Sequence, residues 1–439
     1  MKNILKYIFF FVATTTLVSC DDYLDIKPVG KVIPETLTDY RAVLTKGYDV
    51  YPNHKSLTTV RGDELLLNEY NDDLIYFKDI YTWNDVNPDR ITTTFQYADL
   101  YNTIFYTNVI INEASNKLEA STAKDQLIGE AYALRAMAYF DLVNLFSKPY
   151  NDATANADRG VPLALEIDLE HIYTPENVKV IYNQIISDTE EANKLLNVDA
   201  QAKGINYRFS KAALYTMESR IFLYQNEWSK SLAAAEKALA LKSTLVDLNS
   251  TAVLANNYDT VESILALEDV FINRLKSASY ASPTLTNVYD KTTDLRFSLY
   301  FEVSGSRFRF NKGGELYQKC SYRTSELYLT KAETSAHLND LATAKTIVLS
   351  FIKNRYTLAG INNLTNSINA MSQTALLDFI ALERQREFAV EGQRWFDLRR
   401  TTQKQITHTL NGEEYTLIKN DPRYTLPFPA DARLNNPEL

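Results

Sequence analysis

Residues 376–400 limit what this chain can become more than any other stretch. Leu376, Phe379, Ile380 and Leu382 open it with the spacing of an amphipathic helix. From Glu383 to Arg400, three Glu and one Asp alternate with five Arg, and Phe388, Val390, Trp395 and Phe396 are set among them. A solvated charged face does not carry that much aromatic surface. Arg pairs bidentately with carboxylates while its stem packs on rings. The stretch therefore predicts a buried or half-buried ion-pair network. In it Glu383, Arg384, Glu387, Arg394, Trp395 and Asp397 hold segments together and do no chemistry. Gly392 is expected to end or bend the helix.

Helices are expected to dominate elsewhere too. Gly and Pro number only 12 each in 439 residues, too few for an all-β, turn-rich chain. Apolar spacing predicts helices over 97–114 and 122–146, with Arg135 and Asp141 as structural pairs in the second. Another should open at Thr174-Pro175, with Thr174 as N-cap. Two helical hairpins of tetratricopeptide type follow, the first capped by Ser210. They turn at Asn226-Glu227-Trp228 and Asn339-Asp340-Leu341, a shared Asn–acid–apolar pattern. Alternation over 306–310 predicts a small β-hairpin.

The N-terminus reads as an export signal. Lys2 and Lys6 precede a short apolar run over 7–13, and Leu17-Val18-Ser19-Cys20 matches a lipobox. Residues 1–19 are thus expected to be a lipoprotein signal peptide and Cys20 the lipid acceptor. The formal charge is −9 and becomes −11 once Lys2 and Lys6 leave with that peptide. An acidic chain without a basic run argues against nucleic acid as partner.

Catalytic and metal motifs are missing. His54, His171, His337 and His408 are scattered, with no H-E-x-x-H, paired Cys, P-loop or G-x-S-x-G pattern. No cofactor, no metal and no enzymatic activity are expected, although distant paired carboxylates leave glycoside hydrolysis open. Cys320 reads as a buried bystander thiol.

One region looks built for a ligand. Tyr70, Tyr76, Tyr81 and Trp83 are interleaved with Asn and Asp in a long segment of poor periodicity. Sugars present apolar C–H faces and hydroxyl rims, so their sites need flat rings beside hydrogen-bonding groups. Trp83 is the expected stacking residue, with Asn84 and Asp85 as polar neighbours. The irregular 280–309 region would supply Tyr280, Tyr289 and Arg296. The competing reading is a core Trp that anchors the loop.

The run Glu383-Arg384-x-x-Glu387-Phe388-Ala389-x-Glu391-Gly392-x-Arg394-Trp395-Phe396-Asp397-Leu398-Arg399-Arg400 resembles the C-terminal signature of the SusD/RagB family. The mature start at 21–28, the helix at 130–146 and the tail at 424–429 and 436–439 resemble that family too. The resemblance implies a mainly α fold of four tetratricopeptide-like helix pairs, a SusD-like α-α superhelix, with a loop-rich region and minor β structure. It implies an N-terminal region over 20–230 and a C-terminal region over 231–439, packed as one unit. It also implies a non-catalytic lipoprotein anchored in the outer membrane and facing the cell exterior. Such a protein captures a glycan and passes it to a SusC-like TonB-dependent transporter; some relatives capture peptides. The rival readings are a tetratricopeptide scaffold for protein partners and a lipidated glycoside hydrolase.

Overall fold

The computed structural model describes residues 34–168, 170–315 and 318–439. The expected signal peptide, Cys20 and the mature start lie outside them. Twelve helices carry the architecture. They are α1 (Leu37–Asp49), α2 (Lys55–Arg61), α3 (Tyr97–Val109), α4 (Thr122–Phe146), α5 (Val178–Leu195), α6 (Lys211–Tyr224), α7 (Trp228–Leu241), α8 (Thr324–His337), α9 (Leu341–Ile352), α10 (Leu358–Ala370), α11 (Gln373–Glu387) and α12 (Gln393–Arg400). Four pairs pack together: α1 on α3, α4 on α5, α6 on α7 and α8 on α9. α7 also packs on α8, which stacks the second hairpin on the first.

α4 is the axis. Most of its side chains are buried, as befits a helix apolar on all sides. Ser121 caps it by accepting from the Lys124 N–H. Ala131, Ala133, Ala136 and Ala138 are fully buried and let neighbours approach. At Gly129 a Cβ would lie 2.9 Å from the Leu196 nitrogen, so the end of α5 crosses there at backbone distance. Arg135 pairs with Asp188 at 2.6 Å, and Asp141 accepts from the Tyr51 hydroxyl at 2.5 Å.

The repeat turns have a common cause. Asn226 and Asn339 both take left-handed backbone, φ 60° and 64°, which Asn tolerates better than most residues. Trp228 then stacks on His337, 3.9 Å between rings, and links the two hairpins.

Two expectations shift. Residues 97–114 are not one α-helix: after Val109 the chain widens into a π turn over Ile110–Ala114. Thr174-Pro175 does not open a helix either. Pro175–Asn177 is a strand, and Asn177 caps α5 by accepting from the Val180 N–H. Strand pairing with Arg159–Pro162 takes the residues that the Thr-Pro signal assigned to a helical turn.

Strands are short. β1 (Leu65–Leu67), β2 (Arg159–Pro162), β3 (Pro175–Asn177), β4 (Ser263–Leu265), β5 (Ser279–Ala281), β6 (Phe301–Ser304), β7 (Arg307–Phe310), β8 (Tyr322–Arg323), β9 (Ile406–Leu410) and β10 (Glu413–Leu417) form antiparallel pairs. The pairs are β1–β5, β2–β3, β4–β8, β6–β7 and β9–β10. β6–β7 is the hairpin expected from the alternation at 306–310.

Three large apolar cores result, beside a small cluster of Val246, Leu248 and Ala255. The first surrounds α4 and gathers residues from Tyr40 to Phe428, on both sides of residue 230. The second lies under β1, β5 and the β6–β7 hairpin, with Phe77, Phe271 and Phe310. The third lies between α8, α9 and α11, with Phe351 and Ile380. The signature visits all three: Phe388 enters the third, Ala389 and Val390 the second, Trp395 and Phe396 the first.

Candidate functional site

The expected ligand loop is ordered and carries short regular elements. It holds β1, a 3-10 turn over Asp72–Tyr76 and a helical turn over Lys78–Tyr81. Trp83 is 2% exposed, so its ring has no face free for a sugar. It stacks on His408 at 4.3 Å, and His408 stacks on Tyr81 at 3.9 Å. The indole N–H donates to the Arg61 carbonyl at 3.2 Å. The His408 ring nitrogens sit 2.7 Å from the Tyr81 and Gly62 carbonyls. A strand from the far end of the chain thus closes the loop from behind. The expectation for Trp83 and Tyr81 is corrected: both anchor the loop.

Asp85 is committed as well. It takes a bidentate pair from the buried Arg61, at 2.6 and 2.9 Å. The Asn84 amide is exposed and donates to Asp79 and to the Asn87 carbonyl. Both residues line a cleft of about 470 Å³. A second cleft of about 680 Å³ shares Thr94, Phe95, Pro429 and Asp431 with it, and is walled by Tyr97, Tyr101 and Tyr173.

Tyr289 and Arg296 are also in the interior. The Tyr289 hydroxyl donates to the Arg386 carbonyl at 2.7 Å. Arg296 is fully buried and binds Asp294, Glu383 and Glu387. It belongs to the signature network, and its expected ligand role is corrected accordingly.

That network balances its charge. Arg296, Arg323, Arg355, Arg386 and Lys312 face Asp294, Glu262, Glu383, Glu387 and Glu391 through contacts of 2.5 to 3.2 Å. Glu387 is the hub. Burial would raise its carboxyl, but the guanidiniums of Arg355, Arg323 and Arg296 override this and hold it well below the usual range. The rest of the signature pairs outward. Arg394 binds Asp63, Arg384 binds Asp397, and Arg400 binds Glu333. Trp395 stacks on Tyr424 at 4.8 Å under the Arg61 guanidinium. Glu383, Arg384, Glu387, Arg394, Trp395 and Asp397 are all structural, as the alternation of charge and rings predicts.

Three expected tyrosines also remain at the surface. Tyr70 is 91% exposed. Asn68 and Asn71 bond its loop to the Ala278 and Ser277 carbonyls, beside the start of β5. Tyr76 is half-buried beneath the Arg274 guanidinium, 4.4 Å from its ring centre. Arg274 belongs to the helical turn Asn273–Ser277, which runs into β5 and so to Tyr280. Tyr280 is half-buried opposite Leu66 of β1. The fold therefore gathers Tyr70, Tyr76 and Tyr280 around one small sheet. Reading the sequence did not place Arg274, Arg307 or Arg309 in a site. The alternation Arg307-Phe308-Arg309-Phe310, which sends both Arg to one hairpin face, was the available signal.

Among the described residues, one group has the spacing to hold a metal: His54, Asp141 and Glu268, with ligand atoms within 4.8 Å of one another. The Lys55 ammonium already occupies Glu268 at 2.5 Å. Burial disfavours a charged His54, yet the Asp141 and Glu268 carboxylates outweigh it and raise its basicity. Lys55, together with His54 when it is protonated, offsets the charge of the two acids. Burial pushes the Cys320 thiol up to about 12, which leaves it inert as a nucleophile.

Comparison with known proteins agrees with this architecture. Residues 22–223 match a family model described as SusD-like, starch-binding and associating with the outer membrane, and residues 291–438 match the SusD family model. The chain belongs to the SusD/RagB family, whose members are binding proteins associated with the outer membrane. SusD-like protein P38 of Formosa agariphila is 26% identical over 256 residues, which is 54% of this chain and 46% of that relative. The chain thus spans about half the length of that curated relative. A SusD superfamily protein from Bacteroides fragilis superposes with a TM-score of 0.78 at 23% identity, covering 93% of this chain and all of that one. A laminarin-binding SusD-like protein superposes at 0.63 and 19% identity, covering 83% and 91% of the two chains. Among the described residues no helix is long and apolar enough to cross a membrane.

Proposed function

We propose that this chain is a non-enzymatic, surface-exposed lipoprotein. It is anchored through Cys20, captures a glycan and passes it to a SusC-like TonB-dependent transporter. One observation carries the reading. In a family of binding proteins, Tyr70, Tyr76 and Tyr280 stay at the surface around one sheet, although most neighbouring rings are buried. Tyr70 offers the open flat face that a sugar needs, and the guanidiniums resting on Tyr76 and Tyr280, with the nearby amides, offer hydrogen-bond donors. A likeness to a laminarin-binding protein supports glycan as the ligand class.

A glycan and peptide array on the purified full chain is the test. Binding to a saccharide, lost in Tyr280→Ala and Tyr76→Ala at unchanged thermal midpoint, is the expected result. Peptide binding without saccharide binding would overturn the glycan assignment, and release of free sugar would overturn the non-enzymatic one. Extraction in mild detergent should bring a TonB-dependent transporter down with the chain. Cys20→Ala should release the chain from the membrane.

A further inference from the structure

We propose that Arg307 and Arg309, held on the Tyr280 ring, form a receptor for an anionic substituent of the captured glycan. That substituent is a sulfate ester or a uronate carboxylate. The proposal rests on the glycan-capture reading and specifies its ligand class.

Both guanidiniums belong to β7 and project to the same hairpin face, away from Phe308 and Phe310. Their central carbons lie 5.0 and 5.4 Å from the centre of the one Tyr280 ring. Two like charges are therefore pinned within roughly one Debye length, ~10 Å at 0.1 M salt. Both side chains are exposed. Among the described residues, neither has a carboxylate within ion-pairing distance, in contrast to Arg61, Arg135, Arg220 or Arg355. Arg309 uses only its Nε, on the Ser304 hydroxyl at 3.3 Å, so its terminal nitrogens are free. Glu302, the one acid in register on that face, stands opposite Arg309 without bonding it. On the other face, Lys291 rests over Phe308.

The chemistry of the pair fits an oxyanion. A guanidinium presents planar N–H donors that match carboxylate and sulfate oxygens. The contact with Tyr280 restrains both side chains before binding, so less rotamer freedom is lost when an anion arrives. A neutral sugar would leave the two charges uncompensated.

Titration calorimetry on the full chain, with the neutral glucan laminarin, the uronate polymer alginate and the sulfated polymer carrageenan, tests this. At least one anionic polymer should bind more tightly than laminarin, with an affinity that falls as salt rises. The Arg307→Gln/Arg309→Gln double variant should bind it roughly tenfold to a hundredfold more weakly at unchanged thermal midpoint. Lys353→Gln, which removes one exposed charge elsewhere, should bind as before. Which anionic polymer binds tells sulfate from carboxylate. Tighter binding of laminarin, or a double variant that binds the anionic polymer normally, overturns the proposal and leaves glycan capture standing. Failure of all three polymers and of a wider glycan array overturns both.

Discussion

Glu387→Gln is the sharpest probe of the signature. The change keeps size and shape but removes one negative charge from a balanced set of ten ionised groups. One carboxylate oxygen becomes an NH2, so either the Oε1 contacts to Arg323 and Arg355 at 2.5 and 2.9 Å or the Oε2 contacts to Arg355 and Arg296 at 2.8 and 3.0 Å are lost. The new amide also turns N–H donors toward guanidinium donors. Glu387, Arg296 and Arg355 are fully buried and Arg323 is 1% exposed, so water does not compensate. Removing one partner from such a cluster costs about 3–5 kcal/mol. At ~2.1 cal/mol/K of unfolding entropy per residue, a chain of this length should melt roughly 3–5 °C lower. Differential scanning calorimetry and urea unfolding measure both quantities. Glu387→Gln combined with Arg355→Met restores neutrality and should be less damaged than the sum of the single changes. A single variant melting within about 1 °C of the parent would refute the reasoning. So would singles and double that add within ~0.5 kcal/mol.

Three further outcomes follow from the same structure. Trp83→Ala should lower stability by about 3–5 kcal/mol in urea unfolding, because it removes a buried ring from the His408 stack. Glu64, buried beside Asp63, has its pKa raised from 4.5 to about 8, with burial as the first cause. Its folded form holds a proton that the unfolded chain gives up near 4.5, so stability should fall as pH rises from there to about 8. Glu64→Gln should flatten that slope and add roughly 3 kcal/mol at pH 7, which urea midpoints across pH would show. Gly392→Ala should destabilise by about 1–3 kcal/mol in a thermal melt. There φ is +73°, and a Cβ would lie 2.8 Å from the Lys55 carbonyl oxygen.

Local chemistry made much of this protein readable before folding. Caps and apolar spacing mark α4 and the two hairpins, because a helix end and a helix face depend on residues at most a few positions apart. The density of Arg, acid and ring in 383–400 announces burial, because only a desolvated network needs all three at once. Long-range contacts decided the site. Tyr81 and Trp83 look like a sugar platform until His408, 327 residues beyond Tyr81, slides between their rings. Arg296 looks available until α11 brings Glu383 and Glu387 against it. Tyr280, Arg307 and Arg309 are unremarkable apart in the chain and come together only where β5 meets the β6–β7 hairpin. Whether an aromatic or a guanidinium faces water depends on what the rest of the chain packs against it. No window of neighbouring residues contains that information.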